Sequence, residues 1–114
     1  MKAQQTTRSF EDLTSGQFQQ KLSENNNALL VDVRTQEEFD SVRLPEAINI
    51  DVMDRSFVEK IAVLDAGKTY FVYCRSGGRS RQACAVIASK GLHVYNLSGG
   101  IGSWKGPVVS SINA

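Results

Sequence analysis

An α/β domain built on a mainly parallel sheet is what this sequence predicts, on three observations. Short apolar, β-branched or aromatic runs alternate with segments of helical period along the chain from Phe10. Two of those runs, Ala28–Val33 and Thr69–Tyr73, are almost wholly apolar, as strands covered on both faces are. Helical segments separate the strands, supplying the crossovers that parallel neighbours need.

Taken in order, Phe10–Leu13 reads as a short edge strand, and Thr14 or Ser15 as the cap of a helix. Within Gln17–Glu24, Phe18 and Leu22 repeat at i and i+4, and the Asn25–Asn27 turn closes the segment. Ala28–Val33 follows as a buried strand. Thr35 with Glu38 has the spacing of a capping box, predicting a short helix that carries Glu37, Glu38 and Phe39. Beyond Pro45, Ala47–Ile50 reads as a strand, and Val52–Leu64 as a helix through Phe57, Val58, Ile61 and Leu64, stopped by Gly67. Thr69–Tyr73 is the strongest strand, aromatic and β-branched throughout. After the loop Cys74–Ser80 comes a helix over Ala83–Ser89, then a strand at His93–Leu97, a turn at Ser98–Gly100 and a last short helix over Ile101–Trp104.

The 114 residues, 41% hydrophobic and 22% charged, suffice for one core and one site. Residues 1–9 read as a flexible N-terminal segment, 10–106 as the domain and 107–114 as a C-terminal tail. Thirteen basic against twelve acidic residues leave a formal charge of +1, which supports no generic attraction to nucleic acid or to an anionic membrane. No run approaches the roughly 20 apolar residues of a membrane span, and the polar N-terminus lacks a secretory core, so the chain reads as cytoplasmic. Two cysteines ten positions apart and one histidine, His93, fit no disulfide framework, metal centre or thioredoxin motif. No cofactor is expected.

Chemistry concentrates after the fourth strand. Ligands of open parallel sheets sit beyond the carboxyl ends of the strands, where Cys74 falls. Ser76, Gly77 and Gly78 can turn successive N–H groups inward as a nest for an anion, and the following helix adds its positive end. Arg75, Arg79 and Ser80 complete a cradle in which a thiolate is favoured over a thiol without a general base. Such a nucleophile suits thiosulfate, a persulfide or a phosphate ester. Cys84, inside an alanine-rich helix, reads as a packing residue.

Cys74-Arg75-Ser76-Gly77-Gly78-Arg79-Ser80 resembles the active-site loop of the single-domain rhodaneses. Leu30-Val31-Asp32-Val33-Arg34 with Glu37-Glu38-Phe39 is similar to the family's first signature, Leu44–Ile50 to its second, and Gly99-Gly100 with Trp104 to its C-terminal element. The resemblance spans roughly Phe10–Gly106. It implies a five-stranded parallel sheet flanked by helices on both faces, and transfer of sulfane sulfur through a Cys74 persulfide. The loop from Arg75 to Ser80 would bind substrate, and cyanide, a thiol or a protein would accept the sulfur. A protein sulfur donor is equally compatible.

The second signature departs from the family, which commonly has Gly-His before Ile-Pro-Gly-Ala, whereas Val42-Arg43-Leu44-Pro45-Glu46-Ala47 stands here. Arg43 reads as a solvated surface residue. Asp32 reads as a structural strand-end carboxylate and Arg34 as the partner of Glu37 or Glu38.

Two other readings compete. Cdc25-type phosphatases of similar fold place an arginine six positions after the cysteine, where this chain has Ser80, so phosphatase or arsenate reductase chemistry ranks below sulfur transfer. A non-catalytic rhodanese-like binding module is the third, although such modules would be expected to lack the nucleophile.

Overall fold

A computed structural model describes residues 9–110. The outer parts of the expected N-terminal segment and C-terminal tail, residues 1–8 and 111–114, lie outside the described residues. Five strands, β1 (Glu11–Leu13), β2 (Ala28–Asp32), β3 (Ile48–Asn49), β4 (Thr69–Tyr73) and β5 (His93–Leu97), form one sheet in the order β1-β5-β4-β2-β3, parallel at every pairing. Four α-helices, α1 (Ser15–Glu24), α2 (Gln36–Ser41), α3 (Phe57–Ala62) and α4 (Gly78–Ser89), connect them, and a 3-10 turn at Ile101–Ser103 follows β5.

Strand β4 is central, and its alternation divides the core. Tyr70, Val72 and Cys74 point into a cluster shared with Phe57 and Ile61 of α3 and Ala83, Cys84 and Ile87 of α4. Phe71 and Tyr73 point the other way, to Phe18 of α1 and Leu44. Phe18 meets Phe71 edge to face at 5.3 Å. Helices thus cover both faces, as the apolar composition of β2 and β4 requires.

Local sequence signals explain most boundaries. Thr14 caps α1 in a reciprocal box with Gln17, and Thr35 caps α2 in the same way with Glu38. The third helix is shorter than its apolar period predicts. Asp51 and Asp54 accept hydrogen bonds from the N–H groups of Met53 and Ser56 at 2.9 and 2.8 Å, holding 51–56 in turns, so α3 opens only at Phe57. The fourth helix is longer than predicted. It begins at Gly78, inside the glycine loop, and Arg79 and Ser80 lie in its first turn.

The segment that departs from the family pattern is anchored to the end of the described chain. Arg43 and Val109 exchange backbone hydrogen bonds of 2.9 and 2.8 Å. The Arg43 side chain bonds the Phe39 carbonyl at 3.2 Å and lies over the Phe39 ring. Glu46 is the one non-glycine among the described residues with positive φ, at 67°.

Candidate active site

Strand β4 ends at Tyr73, and the alternation that sends Tyr70 and Val72 toward α4 sends Cys74 there too. Gly77 caps α4 with φ 106° and ψ −15°, a left-handed conformation that a side chain would oppose. That turn aims the Gly77 N–H at the Cys74 sulfur, 3.0 Å away, and the first turn of α4 brings the Ser80 hydroxyl to 3.3 Å. Cys74 is 1% exposed. Burial pushes its thiol up, but the Ser80 hydroxyl and the N–H groups of Ser80, Gly77 and Ser76 outweigh that effect, and the thiol lies below its ordinary range.

The loop is held from behind by the segment after β5. The N–H groups of Ile101 and Gly102 donate to the carbonyls of Cys74 and Arg75 at 2.9 and 3.0 Å. Gly100 makes this approach possible, since a Cβ there would meet the Arg75 carbonyl carbon and oxygen at 2.4 Å. Carbonyl oxygens therefore bond backward while N–H groups face the sulfur, the polarity an anion needs.

The two loop arginines do different things. Arg79 donates two bonds to Glu38, at 2.8 and 3.0 Å, tying the start of α4 to α2. Glu38 also accepts from the N–H and hydroxyl of Thr35 at 3.0 and 3.1 Å. The Arg79 guanidinium first, with the Thr35 groups behind it, holds the Glu38 carboxyl down to about 2 against the opposing effect of burial. Arg75 is exposed and makes no ion pair among the described residues. The residue borders an open cavity of about 550 Å³ with Glu37, Val42, Ile101 and Gly102.

Arg34 corrects an expectation. Its partner is neither Glu37 nor Glu38 but Asp32, at 2.6 Å, together with the Val42 carbonyl at 2.5 Å. Asp32 is fully buried and Arg34 is 3% exposed, so each neutralises the other inside the protein, while Arg79 occupies Glu38. The spacing suggested the capping role of Glu38 but not its bond to Arg79, which lies 41 positions along the chain. It showed Gly99-Gly100 as a turn but not as a support for the loop. The doubled glycine was the available signal.

The geometry supplies a buried sulfur whose charged form is favoured by the Gly77 N–H and the Ser80 hydroxyl, with no histidine or carboxylate bonded to it among the described residues. His93 is exposed at the start of β5, its ring 5.0 Å from that of Tyr95. Cys84 lies fully buried in α4, and burial pushes its thiol up. No described helix is long and apolar enough to cross a membrane.

Comparison with known proteins agrees with this fold. The rhodanese-like domain family matches residues 14–107. A putative sulfurtransferase, YtwF, of Bacillus subtilis is 31% identical over 97 residues, covering 85% of this chain and 92% of its own. Thiosulfate sulfurtransferase GlpE of Pseudomonas savastanoi is 34% identical over 79 residues, 68% of this chain and 73% of its own. The crystal structure of a rhodanese-related protein from Thermoplasma volcanium superposes with a TM-score of 0.77 at 27% identity, covering 88% of this chain and 98% of that one.

Proposed function

The chain belongs to the single-domain rhodanese family, and on that premise we propose that it moves sulfane sulfur from thiosulfate or a persulfide donor to cyanide, a thiol or a protein acceptor through Cys74. One observation carries the reading: the Cys74 sulfur lies within bonding distance of the Gly77 N–H and the Ser80 hydroxyl, which favour its charged form although it is buried.

The reaction is a double displacement. The Cys74 thiolate attacks the outer sulfur of the donor, the donor's sulfur bond breaks, and its electron pair leaves with sulfite or the donor thiolate. The resulting persulfide carries its charge on the outer sulfur, beside the inward N–H groups of the loop. An acceptor then attacks that outer sulfur and Cys74 returns as thiolate. Asp32 and Arg34, a buried ion pair, serve the fold rather than the chemistry. Neither touches the sulfur in this reading.

Phosphate chemistry fits less well. A tetrahedral phosphate wants a guanidinium presenting two parallel donors, and those of Arg79 are already given to Glu38. A free thiolate nucleophile also suits a reducing compartment, so the cytoplasm is part of the proposal.

The test is intact mass after incubation with thiosulfate, then addition of cyanide while thiocyanate is followed, with Cys74→Ala alongside. A gain of one sulfur atom on the native chain only, removed by cyanide, is the expected result. Failure with both thiosulfate and a persulfide donor would overturn transfer and leave a binding module.

A further inference from the structure

Ser80 Oγ stands between two acceptors, 3.3 Å from Cys74 Sγ and 3.1 Å from the Gly77 carbonyl oxygen. A hydroxyl carries one hydrogen, so it serves one of them at a time. Ser80 is fully buried, which places both choices inside the protein. The Gly77 oxygen already accepts the Arg81 N–H at 3.1 Å, the first bond of α4, and its second lone pair faces Ser80. Donation to the carbonyl three residues back is the ordinary resting bond of a serine in a helix. Donation to sulfur becomes the stronger choice only when the sulfur is charged.

The charge on Sγ changes during sulfur transfer. When Cys74 is the thiolate, the form that attacks, its charge sits on Sγ. After loading, Sγ is bonded to a second sulfur and the charge sits one atom further out. We propose that Ser80 is a one-hydrogen selector, its hydroxyl turned to Cys74 Sγ when that atom is the thiolate and to the Gly77 carbonyl when Sγ belongs to the persulfide.

Its persulfide half rests on the sulfur-transfer reading; its thiolate half rests on the geometry alone. The selector acts on discharge. The acceptor anion forms a bond to the outer sulfur, the sulfur–sulfur bond breaks, and its electron pair moves to Sγ. The Ser80 hydrogen swings from the carbonyl to meet that arriving charge. No proton is gained or lost and no other reactant is needed. Ser80 thereby makes Cys74 a better leaving group and a less nucleophilic thiolate.

Opposite effects on the two half-reactions follow, and a merely structural serine would not produce them. Ser80→Ala removes one oxygen, and its melting curve verifies the fold. The pH profile of Cys74 alkylation by iodoacetamide should move up by about one unit. At a pH where both proteins are fully ionised, loading from thiosulfate should quicken by about threefold and discharge to cyanide should slow by roughly as much, as thiolate reactivity follows basicity with a slope of about 0.5. Ser80→Thr, which keeps the hydroxyl, should return both rates toward native values. An unmoved alkylation profile in folded Ser80→Ala would overturn the proposal, as would half-reactions that slow together. If the native chain accepts no sulfur, the transfer reading falls and the alkylation profile alone decides whether Ser80 governs the thiolate.

Discussion

At the mouth of α4 and in its body lie two cysteines that solvent scarcely reaches, Cys74 at 1% exposure and Cys84 at 0%. Their thiols are displaced in opposite directions. Around Cys84 burial dominates, its thiol donating to the Tyr95 carbonyl at 3.8 Å, and the thiol is pushed up. Around Cys74 the same burial is outweighed by the Ser80 hydroxyl and by N–H groups that the start of the helix leaves without intrahelical partners. Burial therefore does not decide cysteine chemistry. The orientation of the surrounding backbone does.

The largest effect expected from this contrast is on activity. Cys74→Ala should abolish sulfur transfer, whereas Cys84→Ala should keep most of it and cost about 1–2 kcal/mol of stability for the lost core packing. Activity assays beside urea titrations would separate the two, and an equally inactive Cys84→Ala would give the body of the helix a chemical role.

Next comes the turn that makes the mouth different. In Gly77→Val a β-branched side chain would have to adopt φ 106°, with its Cβ 3.2 Å from the Gly99 nitrogen. Transfer should fall by at least about tenfold and Cys74 alkylation should need higher pH, since the strain is on the order of 1–2 kcal/mol and lands on a donor of the sulfur. Near-native rates would show that the N–H of Gly77 is dispensable.

The bond that fixes the mouth to α2 gives a pH signature. Glu38 is held at about 2 in the folded chain against 4.5 as its ordinary value. Because the folded value is the lower, its contribution is complete above about pH 4.5 and is lost as pH falls toward 2. Glu38→Gln should cost about 1–2 kcal/mol at pH 7, discounting for partial exposure. The gap from the native chain should narrow across the acid range in urea titrations. A gap independent of pH would mean that the ion pair contributes nothing through charge.

The smallest effect serves as a control outside both regions. Glu46 adopts φ 67° with a side chain that opposes it. Glu46→Gly should stabilise the fold by about 0.5–1 kcal/mol in a thermal melt and leave the reactivity of both cysteines alone. A change in Cys74 alkylation would instead couple the second signature to the loop.

Signals that act within one or two turns of chain were legible in the sequence. A cap at Thr14, one of two residues read for it, the capping box of Thr35, the β4 run and the glycine turn after Cys74 were all readable, because caps, pleats and left-handed turns depend on residues a few positions apart. Cys84 read as packing from its alanine-rich surroundings. Boundaries failed where two local preferences competed: the Asp51 and Asp54 turns displaced the apolar period ahead of α3, and the Gly77 turn started α4 early. Pairings between distant segments were decided only by the tertiary structure. The sequence reading gave Arg34 to Glu37 or Glu38 and left Arg79 in the loop. Folding buried Arg34 against Asp32 and delivered Arg79 from 41 positions away. The Gly100 support behind Cys74 and the two acceptors of Ser80 arise in the same way. Residue type and spacing determine which groups are available, but the packing of α2, α4 and the segment after β5 around one strand end determines which of them meet.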